Sequence, residues 1–137
     1  VSLGGARKKA RDAKRMADIR QISTAMEMCY SDNSCNGLAS GEGYPAIGAG
    51  GTPGRLSTTK IGNYLNPLPQ DPGGGSLTAC TGGSGEMTPG PYCAYPSSAG
   101  SAEYCIYARL SDGRVIAASE KGVQIMTGPP ANLSTCP

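Results

Sequence analysis

Residues 1–32, VSLGGARKKARDAKRMADIRQISTAMEMCYSD, decide the fold of this chain. They contain no proline, and no glycine follows Gly5, so we predict one helix over residues 1–30. At 1.5 Å per residue its uninterrupted part, 4–30, is about 40 Å long. Apolar side chains recur every three or four residues, first mostly as alanines and then as larger residues: Leu3, Ala6, Ala10, Ala13, Ala17, Ile19, Ile22, Met26 and Cys29.

The two halves of this helix are suited to different contacts. Alanine favours helix but buries little surface, whereas isoleucine and methionine bury much more. We therefore expect Ile19, Ile22 and Met26 to pack on the rest of the domain and the first half to project. A projecting helix half is expected either to pair with copies of itself or to continue into a further segment. Small side chains let helices approach closely, so pairing would use Ala6, Ala10, Ala13 and Ala17.

Charge is concentrated in the same helix. Residues 7–20 hold seven Lys/Arg and two Asp, a local charge of +5, while the rest of the chain sums to −3. Lys8–Asp12 and Lys14–Asp18 are predicted to form ion pairs, since four residues separate the members of each pair on the helix. A basic helix can bind nucleic acid or an anionic membrane, but no aromatic residue interleaves with these charges. A solvated helix face is the interpretation we favour. DNA binding, through Arg11, Lys14 and Arg15, stays as the alternative.

The rest of the chain predicts a small sheet. Residues 31–90 are predicted to form a loop region with one short helix near 58–65, which begins after Ser57. Residues 91–137 contain alternating runs typical of strands, including a hairpin over 103–119 with a two-residue turn at Asp112-Gly113 and a further strand at 122–126. The predicted fold class is α+β, one domain over 1–137, with the long helix packed on three or four antiparallel strands.

Composition excludes several kinds of protein. The chain has no His, so it cannot contain a Ser-His-Asp or Cys-His catalytic unit or a His-ligated metal. No set of convergent acid and base residues points to an enzyme. Leu, Ile, Val and Phe number 18 of 137 residues, about 13%, so little aliphatic mass is available for a core. We expect no cofactor, and something besides aliphatic packing must stabilise the fold.

Six cysteines supply that stabilisation. An even number in a small chain with a poor core indicates three disulfides and an oxidising compartment. Metal binding is disfavoured, since the closest pair, Cys29 and Cys35, has five residues between its members. Fifteen connectivities remain open. The pairing we favour closes three local loops: Cys29–Cys35, Cys80–Cys93 and Cys105–Cys136.

One further motif resembles part of a metal site. Asp32, Ser34, Asn36 and Gly37 match the first half of a calcium-binding loop, but Gly43 stands where that loop needs a glutamate. A disulfide-stapled turn is therefore the favoured interpretation of this segment.

Three stretches together resemble a known family. The helix, the element YLNPLPQDPGG (64–74) and the hairpin YCIYARLSDGRVIAAS (104–119) are similar to type IV pilins and type II secretion pseudopilins of bacteria. They touch about half of the chain. The resemblance implies a pilin-like subunit whose apolar helix half precedes Val1, anchors it in the membrane before assembly, and then forms the core of an extracellular filament.

Function and partners follow from the resemblance as expectations. It implies a structural subunit of a type IV pilus that serves adhesion, twitching motility or DNA uptake. Its expected partners are its own copies, other pilins, the inner-membrane assembly machinery and host-cell surfaces, with DNA left open. Loops 31–56 and 72–91 are expected to form contact surfaces. The resemblance also implies a C-terminal disulfide loop, here Cys105–Cys136.

The alternative within the resemblance is a type II secretion pseudopilin. Major pseudopilins carry calcium in the C-terminal loop, where Asp112 and Glu120 are the available acids in this chain. The acidic pattern around them is thin, so the resemblance favours a pilin.

Overall fold

A computed structural model describes residues 3–48, 55–56, 60–73, 80, 82–87 and 92–137, with the backbone alone described at 55–56. Two helices, α1 (Leu3–Tyr30) and α2 (Asn33–Asn36), are followed by six strands and a short 3-10 helix at Leu133–Thr135. The strands are β1 (Arg55–Leu56), β2 (Gly85–Met87), β3 (Cys93–Ala94), β4 (Cys105–Arg109), β5 (Val115–Ser119) and β6 (Gly122–Met126). The α+β class predicted from the sequence is confirmed.

The strands form one sheet in the order β1-β2-β3-β4-β5-β6. Strands β2 to β6 are antiparallel neighbours, and the two-residue β1 pairs parallel to β2. Five antiparallel strands replace the three or four predicted. The sheet also begins before residue 91, since β1 and β2 lie inside the segment 31–90 that was expected to be loop.

Helix α1 packs on one face of this sheet and runs antiparallel to β4. Ser23 near its carboxyl end hydrogen-bonds Tyr104, just before β4, while Asp12 bonds Ser111, just after it. Ile19, Ile22 and Met26 are fully buried in the core between helix and sheet, as the apolar spacing predicted.

The other face of the sheet is covered by the last residues of the chain. A second buried cluster there joins Cys105, Tyr107, Val115 and Ala117 to Cys136. The hydroxyl of Tyr95 donates to the backbone oxygen of Pro130 at 2.6 Å, which holds the C-terminal segment against this face. Both faces of the sheet are therefore buried, which explains why β5 is buried along its whole length.

Tyrosines supply the bulk that the aliphatic residues lack. The chain has seven Tyr and no Phe or Trp. The largest fully buried side chains include Tyr92, Tyr104 and Tyr107. Each buried hydroxyl has a partner, on Asp18, Ser23 and Ser84 respectively, and so burial costs no orphaned polar group.

The predicted hairpin is present with a different turn. Strands β4 and β5 pair from Cys105↔Ser119 to Arg109↔Val115. The amide of Leu110 then donates to the carbonyl of Arg114, which leaves three loop residues rather than the two predicted at Asp112-Gly113. Gly113 adopts a φ of 92°, the left-handed geometry that closes a three-residue hairpin loop.

The short helix predicted near 58–65 is wrong in its described part. Residues 62–64 form a turn, and Ile61 and Leu65 on either side pair as an isolated antiparallel bridge. The predicted cap Ser57 and residues 58–59 lie outside the described residues, as do parts of the loops 31–56 and 72–91.

Three disulfides close the local loops favoured from the sequence. They join Cys29 to Cys35, Cys80 to Cys93, and Cys105 to Cys136. The first links the end of α1 to α2, the second links the segment before β2 to β3, and the third ties the C-terminus to β4. Disulfides of this density are typical of proteins in oxidising compartments.

Candidate functional site: the projecting half of helix α1

Helix α1 leaves the domain near Arg15, which is buried, and Asp12, which still contacts Ser111. From Arg15 onward the helix carries all of its buried residues, whereas Leu3 to Lys14 are exposed or half-buried. These twelve residues extend about 18 Å along the helix axis. Among the described helices, none combines the length and apolar character needed to cross a membrane.

Two different stripes run along α1. The alanine stripe consists of exposed residues on the face turned away from the sheet, and three more exposed residues continue it past the alanines: Ala6, Ala10, Ala13, Ala17, Gln21, Thr24 and Met28. An open groove of about 320 Å³ lies beside the carboxyl-terminal part of this stripe, and Met28, Tyr64 and Leu65 contribute to it. This face has no partner within the described chain.

The inner stripe faces the sheet. It consists of Lys8, Arg11, Arg15, Ile19 and Ile22, which share one face because they are three or four residues apart. The stripe changes from apolar to cationic at Arg15. Lys8 and Arg11, which lie in the projecting half of α1, are exposed.

Arg15 is a buried cation at the point where the helix leaves the domain. Its side chain is 1% exposed, as is that of Asp71. Nε and Nη2 of Arg15 donate to the two carboxylate oxygens of Asp71 at 2.9 and 3.1 Å, and Nη1 donates to Asp12 at 2.7 Å. This fork-shaped pairing holds the loop around residue 71 against the helix.

Neighbouring groups complete this ion cluster. The backbone amide of Gly73 donates to Asp71 at 2.7 Å, and a Cβ at Gly73 would lie 2.6 Å from Nη2 of Arg15, so the loop has no room for a side chain there. Lys14 reaches the carbonyl of Gln70 at 3.1 Å and the carboxylate of Asp18 at 2.5 Å. The cluster therefore binds the loop to α1 over a full helical turn.

The pKa values of two groups in this cluster, Arg15 and Tyr92, are shifted by burial and by hydrogen bonding. Burial lowers the pKa of Arg15, but its hydrogen bonds to Asp71 and Asp12 outweigh burial and hold that pKa above its usual value. Burial raises the pKa of Tyr92, and the bond that its hydroxyl donates to Asp18 raises it further. These contacts favour the charged guanidinium of Arg15 and the neutral phenol of Tyr92.

The cluster corrects two expectations from the sequence. Arg15, expected among the DNA-binding cations, is buried and paired with Asp71, so it is not available to a polyanion. The predicted pair Lys8–Asp12 is wrong as well, because Asp12 accepts instead from Arg15 and from the amide and hydroxyl of Ser111. The predicted pair Lys14–Asp18 is present.

Asp112 and Glu120 lie too far apart to ligate the same cation. They lie beyond opposite ends of the five-residue strand β5, which is itself about 17 Å long at 3.4 Å per residue. Asp112 pairs with Arg114 in the hairpin loop, and Glu120 accepts from the amide of Tyr104. Across the described residues, no three His, Cys, Asp or Glu side chains converge as metal ligands would.

The segment that resembles half of a calcium loop forms a stapled turn instead. Asp32 caps α2 by accepting from the amide and hydroxyl of Ser34, and the hydroxyl of Tyr64 donates to it at 2.7 Å. These hydrogen bonds lower the pKa of Asp32. Its oxygens are engaged within the chain.

Sequence reasoning missed the partner of Arg15. Asp71 lies 56 residues away along the chain, and no periodicity or spacing connects residues so distant. The available signal was Asp71's place in YLNPLPQDPGG, which the resemblance singled out without giving the aspartate a role. The buried tyrosines could have been found from the absence of Phe and Trp.

The comparisons with known proteins return no match: no protein family, curated protein or solved structure matches this chain. The fold and the two stripes of α1 therefore carry the functional argument.

Proposed function

We propose that this chain is the globular part of a type IV pilin-like subunit, which assembles into an extracellular filament through helix α1. The observation that carries the proposal is the division of α1 at Arg15. Its second half is buried on the sheet, and its first half projects with an exposed alanine stripe that nothing in the described chain covers.

The buried ion cluster supports a mechanical role. A projecting helix that transmits force needs a rigid attachment to its domain, and the Arg15–Asp71 pair supplies one at the exit point. Two disulfides add covalent ties, one at the carboxyl end of α1 and one at the start of β4. The sheet and its loops then form the outer surface of the filament, and an apolar segment before Val1 forms its core.

The gene sequence encoded before Val1 gives the first test. A basic leader that ends in Gly and is followed by about 20 apolar residues is the expected result. A secretory signal with an A-x-A cleavage site directly before this chain would contradict the proposal.

Alanine substitutions test the assembly face itself. We expect Ala10→Gln together with Ala13→Gln to abolish filaments on cells that make the protein from its native gene, because longer side chains keep neighbouring helices apart. Both positions are exposed and glutamine favours helix, so the free energy of unfolding changes by less than about 0.5 kcal/mol. Electron microscopy of the cells and urea unfolding of the purified chain measure the two effects.

Lys9→Gln is the matched control, since Lys9 is equally exposed but lies off the alanine stripe. Filaments that survive the double substitution unchanged would show that this face is not the assembly surface.

A second candidate function rests on the exposed cations of α1. Arg7, Lys8, Lys9 and Arg11 are all exposed, as a DNA-binding helix requires. If DNA is the ligand, replacing Lys8, Lys9 and Arg11 with glutamine weakens binding to duplex DNA and reduces the slope of log K against log salt by about 3. Arg15, whose side chain is buried, is left unchanged in this test.

A further inference from the structure

The inner stripe of α1 has an uncovered cationic segment. Below the exit point the stripe is buried by the chain's own sheet, and at Arg15 it is neutralised by Asp71 and Asp12. One and two turns above, Arg11 and Lys8 lie on the same face, exposed, and neither has an acidic partner among the described residues. We call this segment, which consists of Lys8 and Arg11, the cationic stripe.

The opposite end of the domain is acidic. Glu27 accepts from the hydroxyl of Tyr44 at 2.9 Å, and the backbone beside Tyr44 is bonded to Ser101. Strand pairing sets Glu120 beside Tyr104, whose amide donates to it. Glu42 accepts from the hydroxyl of Ser31, next to the end of α1, and the amide of Glu103 donates to Ser101. Four carboxylates therefore lie around the carboxyl end of α1, and together they form what we call the acidic end: Glu27, Glu42, Glu103 and Glu120.

Few cations in the described part of the chain lie close enough to the acidic end to neutralise its carboxylates. Within the described residues, its one salt bridge is a loose contact of 3.9 Å between Lys121 and Glu120. Arg11 and Glu27 are 16 residues apart on one helix, or about 24 Å. This distance exceeds the screening length of about 8 Å at physiological salt, so the two ends of one chain do not neutralise each other.

We propose that the acidic end of a second copy of this chain docks on the cationic stripe. The two surfaces have opposite charge and lie at opposite ends of the domain, so the contact joins copies head to tail. Such a heterologous contact repeats from copy to copy and builds an open filament unless its rotation closes a ring. Inside the domain, Asp71 and Asp12 pair with Arg15. The carboxylates of the second copy would pair in the same way with Arg11 and Lys8 in the projecting half of α1.

This inference rests on the proposed function, which it deepens by naming a polar, salt-sensitive contact distinct from the alanine stripe. Charge complementarity also gives the contact its direction, because two cationic or two acidic ends repel each other.

Charge reversal of the full chain tests the contact. One variant carries Lys8→Glu and Arg11→Glu, a second carries Glu42→Lys and Glu103→Lys, and a third carries all four changes. The matched control carries Lys9→Glu and Arg20→Glu, since both residues are exposed on another face of α1. Sedimentation velocity at about 0.1 M salt, where charges interact over about 10 Å, and at about 1 M salt, where they interact over about 3 Å, measures self-association.

The expected result is a salt-sensitive association of the native chain that each double reversal weakens about tenfold and that the four-fold variant restores. The control pair leaves it unchanged. A native chain that stays monomeric at the lower salt concentration, or a four-fold variant that associates no better than the double variants, overturns the inference. So does loss of binding to duplex DNA or anionic vesicles in the first variant without any change in self-association.

The proposed function is tested separately, by electron microscopy of filaments on cells. Filaments that persist in all four variants refute this contact and leave the pilin proposal intact, whereas cells that lack filaments with the native chain refute the pilin proposal itself.

Discussion

Replacing Asp71 with alanine is expected to lower the free energy of unfolding by about 3–5 kcal/mol. The substitution leaves Arg15 buried with Asp12 as its remaining carboxylate partner, and an uncompensated buried charge costs far more than the pair itself contributes. The amide of Gly73 loses its acceptor as well. Urea unfolding of the chain with its disulfides intact measures the change.

Two further variants make this prediction specific. Arg15→Met combined with Asp71→Leu should recover most of the lost stability, because an apolar pair of similar volume needs no charge compensation. Asp112→Ala removes a partner from an exposed pair with Arg114 and should have a much smaller effect. If Asp71→Ala changes stability no more than Asp112→Ala does, the buried pair does not anchor the loop to α1.

The Arg15–Asp71 pair joins distant parts of the chain, and features of this kind could not be predicted from the sequence, whereas local features could. The extent of α1 follows from local chemistry, since no proline interrupts residues 3–30 and larger apolar residues begin at Ile19. The hairpin of β4 and β5 is equally local, because alternation and Asp112-Gly113 lie within a few residues of each other. These features depend on neighbouring residues and were predicted, although the hairpin loop has three residues rather than two.

Features that depend on distant segments were not. Strands β1 and β2 have two and three residues, too few to show any periodicity, and their pairing joins Arg55–Leu56 to Glu86–Met87 across about 30 residues. The turn over 62–64 was taken for a helix, because capping and composition alone cannot show that Ile61 pairs with Leu65.

The candidate site divides in the same way. The exposed alanine stripe and the buried Ile19, Ile22 and Met26 follow from helical spacing. The role of Arg15 does not follow from helical spacing. Within the helix it is one of several cations, and its burial depends on Asp71 in a distant loop.

Removing the disulfide Cys105–Cys136 is the second change expected to have a large effect. The bridge closes 31 residues, so losing it costs about 4 kcal/mol by the loop-entropy estimate, whereas Cys29–Cys35 closes six and costs about 2 kcal/mol. We expect the urea midpoint to fall further in the variant with Cys105→Ala and Cys136→Ala than in the matched variant with Cys29→Ala and Cys35→Ala.

The structural consequences of the two changes should also differ. Cys136 ties the C-terminal segment over the sheet face that contains Tyr107, Val115 and Ala117, and its loss exposes that apolar face. Hydrogen exchange at the amides of β5 should therefore increase more with the first variant than with the second, whose bridge joins the end of α1 to α2. Equal losses of stability with protected β5 amides in both variants would show that the C-terminal segment keeps its place without the bridge, through Tyr95 and Pro130.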